Sequence, residues 1–175
     1  LRDWDSAPAD TVEEKLTGRA ARVAIQVIAG RHSEIRPECE KLKPLLDVQL
    51  SKHPDSLSGL QQASWVEVCL GRNAEAIATA RRATEVLPVA RDAFYGVYQL
   101  EGLAEIEAHV GAPEAAIDLI EKLMAMPAGE SMSVARLRLD PVWDPLRGSP
   151  RFQAVLKKYE TTQSVPGANG AAQLG

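Results

Sequence analysis

The sequence predicts an all-α protein, and three observations carry that reading. The 175 residues include 26 alanines and 19 leucines but only eight aromatics, and Ala and Leu are the residues that cost least to place in a helix. Apolar residues recur at three- and four-residue steps, which gathers them on one helical face. Proline and glycine fall at intervals that cut the chain into pieces of helical length. With 45% apolar and 25% charged residues, the chain has the balance of an ordinary folded domain, which excludes overall disorder.

Each element follows from its punctuation. Asp10 and Thr11 can cap a first helix reaching Ala29, where Gly30 stops it; Val12, Leu16, Ala20, Val23, Ala24, Val27 and Ile28 form its apolar face. A second helix lies between Glu34 and His53 and stops at His53-Pro54-Asp55, with Pro44 either kinking it or opening its final straight section. A third runs from Leu57 to Leu70 and ends at Gly71; a fourth runs from Ala74 to Leu87 and ends at Pro88. A fifth spans Arg91 to Val110 before Gly111. A sixth starts at Pro113, a suitable first-turn proline, and ends near Met126-Pro127. Residues 128–148 read as irregular because Pro141 and Pro145 interrupt them. A last helix follows Pro150 to about Glu160, and residues 161–175, without charge and rich in Gly and Ala, read as a flexible tail.

The third to sixth helices repeat. Leu70-Gly71-Arg72-Asn73-Ala74-Glu75-Ala76-Ile77 matches Val110-Gly111-Ala112-Pro113-Glu114-Ala115-Ala116-Ile117 forty residues later. A helix, a Gly turn, an Ala-Ile entry and a closing Pro together resemble the tetratricopeptide repeat (TPR). On that resemblance Ala76, Ala80, Ala83 and Pro88, then Ala116, Ile120 and Leu123, are the packing positions, with Pro127 one residue early. Small residues there let antiparallel helices and the next pair nest. The chain departs from the family at Glu67 and Glu107, where a bulky residue is usual, and at Ser64 and Ala104, where glycine is. The pair over residues 10–54 fits poorly, because an extra stretch separates Gly30 from its second helix. The expected architecture is therefore a TPR-like α-solenoid of antiparallel pairs, at about 10–54, 57–88 and 91–127, closed by a cap over 131–160.

The segment Ser133-Val134-Ala135-Arg136-Leu137-Arg138-Leu139-Asp140-Pro141-Val142-Trp143-Asp144-Pro145-Leu146-Arg147, followed by Pro150-Arg151-Phe152-Gln153, is more specific. It resembles the C-terminal end of TPR arrays in multidomain bacterial signalling proteins, where the array follows a serine/threonine kinase, a nucleotide cyclase or a winged-helix domain. The resemblance implies an accessory region with its catalytic or DNA-binding domain upstream of Leu1. It implies a non-enzymatic protein–protein interaction scaffold; the alternative is a ligand-sensing arm that regulates such a domain.

The residues themselves point away from catalysis. Cys39 and Cys69 stand thirty apart with no C-x-x-C or H-x3-H spacing, so no zinc site is expected. They read as small buried helix residues with free thiols, and His32, His53 and His109 as solvated or capping residues. No nucleophile elbow, P-loop or G-x-G-x-x-G occurs, so neither an enzyme nor a cofactor is expected. No apolar run approaches the ~20 residues that span a bilayer. Free thiols and the lack of a targeting pattern make a cytoplasmic location the expectation. The net charge of −4 gives no field for nucleic acid.

Charge is unevenly distributed. Residues 92–130 hold eight acids against Lys122, and residues 131–160 hold six bases against three acids. Either the basic cap docks on the acidic pair before it, or leftover acid lines a groove. Carried over from the family, the groove positions are Gln61, Trp65 and Val68 of one repeat and Tyr98, Glu101, Glu105 and His109 of the next, with Ser58, Cys69 and Ala108 beside them. Residues 92–111 contain no Lys or Arg. Both carboxylates are therefore expected to be open to solvent, beside a Trp and a Tyr, and to suit a basic protein or peptide, or the chain's own upstream domain. The competing reading packs Trp65 and Tyr98 between helices.

Overall fold

The structure is a computed structural model that describes residues 12–126 and 132–163. Its described residues contain helices and no strand, in the order α1 (Val12–Ile28), α2 (His32–Lys52), α3 (Leu57–Leu70), α4 (Asn73–Val86), α5 (Tyr95–His109), α6 (Pro113–Met124), α7 (Val134–Leu139), a 3-10 helix (Pro141–Leu146) and α8 (Pro150–Gln163). Each helix from α1 to α5 packs on the one after it, α1 also meets α3, and α3 meets α5. The expected cap of α1 at Asp10 and Thr11 and the closing Pro127 lie outside the described residues; of the expected tail over 161–175, residues 161–163 instead continue α8, and the rest lies outside the described residues.

Three turns share one construction. Gly30, Gly71 and Gly111 have φ of +74°, +74° and +81°, the left-handed region that glycine enters without a Cβ penalty. In each, the residue after the glycine donates its N–H to the carbonyl five positions earlier: Arg31 to Gln26, Arg72 to Glu67 and Ala112 to Glu107, all at 2.9 Å. This corrects the expectation for the first pair. No extra stretch follows Gly30; α2 begins at His32, and the same turn recurs at all three joints. α2 also runs unbroken through Pro37 and Pro44. Both prolines are exposed, as are Ser33 and Glu40, whose carbonyls they leave without an N–H donor, so the lost bonds lie on the solvent side.

Two other boundaries move for local reasons. α5 starts at Tyr95, four residues later than expected, because the Asp92 carboxylate accepts from the N–H groups of Phe94 (2.9 Å) and Tyr95 (2.8 Å) and holds the preceding residues in a turn. Gly96 lets that turn lie against the helix: a Cβ there would sit 2.7 Å from the Val89 backbone. Residues 128–148, read as irregular, contain α7 and the 3-10 helix. Ser133 caps α7 by accepting from Arg136 N–H at 3.2 Å, and Asp140 caps the 3-10 helix by accepting from Val142 N–H at 3.1 Å, so Pro141 opens an element instead of ending one.

The residues expected to pack between helices are out of solvent. Ala76, Ala80 and Ala83 of α4, and Ala116, Ile120 and Leu123 of α6, are buried. Ala83→Leu should therefore overpack its contact and lower stability by roughly 1–3 kcal/mol in a chemical-denaturation experiment. An unchanged midpoint would mean that the site has room the structure does not show.

The cap closes the far end. Trp143, Leu146 and Phe152 are completely buried, the 3-10 helix packs on α5, and α8 packs on α6 and α7. Arg151 reaches Glu114 (2.9 Å), Asp118 (2.5 Å) and Glu121 (2.9 Å) of α6. Basic cap and acidic helix pair thus meet directly.

The cysteines overturn an expectation. Cys39 of α2 and Cys69 of α3 are buried, but they are joined in a disulfide with Cα atoms 6.5 Å apart, and no free cysteine remains among the described residues. Helix register, invisible in a thirty-residue spacing, brings them face to face. The free thiols that favoured a cytoplasmic location are absent. No helix among the described residues is long and apolar enough to cross a membrane.

Candidate functional site

The expected groove residues come from α3 and α5, and the structure divides them. Gln61 and Tyr98 are exposed, while Trp65, Val68 and Glu101 are buried and Glu105 and His109 half-buried. Trp65 and His109 do meet across the two helices, ring centroids 5.1 Å apart at 67°, an edge-on arrangement. His109 Nε2 lies 3.0 Å from the Val142 carbonyl, so the proton sits on Nε2, donating to that acceptor. Burial pushes the His109 pKa below its ordinary value. The cap's 3-10 helix thereby covers one end of the row.

Glu101 and Glu105 are not open to solvent. Arg136 of α7 reaches over α5 and pairs through Nη1 with Glu101 Oε1, through Nη2 with Glu105 Oε1 at 3.6 Å, and through Nε with Asp140 Oδ2 at 3.4 Å. Burial, with the neighbouring Glu101 charge adding to it, pushes the Glu105 pKa up to about 8 despite Arg136. The expectation of an acidic groove waiting for a basic partner is overturned. The base is supplied from within, by a residue that folds back from 31 positions away, and the acid belongs to the docking surface of the cap.

Glu67 and Glu107, which stand where the resemblance implies a bulky residue, each find a basic partner. Both are buried; Glu67 lies 3.5 Å from Lys43 of α2, and Glu107 lies 3.8 Å from Arg81 of α4. Burial raises the pKa of each, and the basic partner opposes the shift. Forty residues apart, they tie the same corner of successive joints to the helix before.

What remains open is aromatic. Phe94, Tyr95 and Tyr98 are 61%, 59% and 44% exposed. The Phe94 ring stands nearly perpendicular to both tyrosines, with centroids 5.1 Å from Tyr95 at 88° and 5.6 Å from Tyr98 at 75°. Of these, only Tyr98 was among the expected groove residues. A signal for the others exists in the sequence, since three of the eight aromatics fall within residues 94–98. Among the described residues no group of His, Cys, Asp or Glu could hold a metal ion. A cleft of about 330 Å³ beside Arg36, Lys43 and Arg72 has each of those bases paired, with Glu40, Asp47 and Glu75 at 3.3, 2.6 and 3.4 Å. Compared with known proteins, the chain matches no family model, no curated protein and no solved structure.

Proposed function

We propose that the chain is a non-enzymatic protein-binding scaffold, a TPR-like array of antiparallel helix pairs that serves as the accessory region of a larger signalling protein. The like turns at Gly30, Gly71 and Gly111, and the buried small residues between them, support the array. The observation that carries the binding role is the exposed trio Phe94, Tyr95 and Tyr98. Aromatic rings held by a helix and its turn lose little entropy on binding, and such rings are where interfaces concentrate their energy. The partner is a protein segment that offers an apolar side chain to the rings and carbonyls to the tyrosine hydroxyls.

A displayed peptide library selected on the protein, then counter-selected on a Phe94→Ser/Tyr98→Ser variant, tests this. Both positions are exposed, so the variant should keep its helical circular dichroism and its melting temperature. Enriched peptides should bind the variant at least ~10-fold more weakly than the parent, the loss of one good hot spot. Peptides that bind both equally would remove the aromatic patch from the site.

A further inference from the structure

The disulfide lies in the part of the fold that most needs one. α2 buries only Cys39, Leu42 and Leu46 of its 21 residues and carries two internal prolines, whereas α3 buries nine of its 14. The helix that buries the smallest share of its residues, and that gives up two backbone bonds to internal prolines, is the one tied covalently to its neighbour. The Lys43–Glu67 pair lies beside the bond in the same α2–α3 interface, fixing the same register. Both half-cystines are closed to solvent, at 0% and 3% exposure, so no external thiolate can reach the sulfurs in the folded protein. Such a bond is made as the chain folds and is not toggled afterwards.

We propose that Cys39–Cys69 is a permanent staple between the first helix pair and the second, introduced in an oxidising compartment, and that this domain works outside the cytosol. The step balances by thiol–disulfide exchange. Cys39 and Cys69 give up two protons and two electrons and gain the Sγ–Sγ bond. A disulfide-bearing oxidoreductase of the compartment loses its own S–S bond and leaves as a dithiol. In a cytosol poised by glutathione and thioredoxin the same pair would persist as thiols.

Thiol trapping in the cells that make the protein tests the compartment. Acid quenching followed by a polymer-linked maleimide under denaturing conditions should give no mass shift before reduction and a two-thiol shift after it. Two reactive thiols before reduction would overturn the proposal. Permanence is tested on the folded, oxidised protein, which should resist thioredoxin for hours. The Cys39→Ala/Cys69→Ala variant should melt roughly 10 °C lower, as expected from releasing a loop of 30 residues. Should that variant not fold, chemical reduction of the parent during urea unfolding supplies the same comparison. Rapid reduction of the native protein, or an unchanged melting temperature without the bond, would show that it is no staple.

Discussion

Trp143→Ala is expected to destabilise the protein by about 3–5 kcal/mol, the usual range for deleting a fully buried large aromatic. Trp143 is completely inaccessible, in a 3-10 helix that also buries Val142 and Leu146 and packs on α5. Its indole N–H is buried with no hydrogen-bond partner among the described residues. The side chain therefore stabilises through its apolar area, offset by a polar group left without a bond. Trp143→Phe should accordingly be far milder, costing less than ~1.5 kcal/mol, because it removes that N–H while keeping most of the ring. Guanidinium midpoints for both variants decide the matter. A small loss on alanine would mean that the cap is not seated on α5 as described.

The second large effect is at Arg136. Removing it as Arg136→Ala leaves the Glu101 carboxylate, 5% exposed, without its guanidinium and the half-buried Glu105, mostly protonated at pH 7, without its partner, at an expected cost of roughly 2–4 kcal/mol at pH 7. That figure sits below the range for a fully enclosed pair because the Arg136 side chain itself is 33% exposed. A pH dependence accompanies it. The Glu105 pKa is raised from about 4.5 to about 8 in the folded chain, so the folded state holds a proton that the unfolded state has released. The stability this group contributes is complete below about pH 4.5 and is lost as pH rises through 8. His109, whose pKa is lowered by burial, acts in the opposite sense, but only up to its unfolded value near 6.5. Between pH 6.5 and 8.5 the protein should therefore lose stability. Glu105→Gln, which fixes the neutral form, should flatten that slope. A slope unchanged by the glutamine would place the titrating proton elsewhere.

The helical elements of the fold were legible because glycine and proline act locally. Gly30, Gly71 and Gly111 could be read as stops without knowing what each helix packs on, and Pro113 as a start. α7 and the 3-10 helix were hidden for a related reason. Pro141 and Pro145 read as breakers, although Ser133 carries the capping oxygen that starts α7 and Asp140 the one that makes Pro141 a helix opener, with Pro145 inside that helix. The site was much less legible. An acidic stretch followed by a basic one was plain, but which acid meets which base depends on the return path of the cap, a long-range property that no local pattern encodes. The same holds for Cys39 and Cys69, whose bond depends on the register of two helices. Exposure of Phe94 and Tyr95 depends on the Asp92 turn, which delays α5 and leaves Phe94 just before the helix and Tyr95 at its first position.

The three left-handed turns also bear on how this chain can vary by mutation. Around each of Gly30, Gly71 and Gly111 the space a Cβ would enter is empty, so a side chain there meets no neighbour and the whole penalty of a substitution is backbone conformation. Any change in the first or second base of a glycine codon brings in an L-residue or, from GGA, a stop, and every L-residue carries that penalty, on the order of 1 kcal/mol. Drift at these codons is thus confined to their silent third base, and no single-base change can improve the turns. Alleles of higher stability must arise elsewhere along the helices.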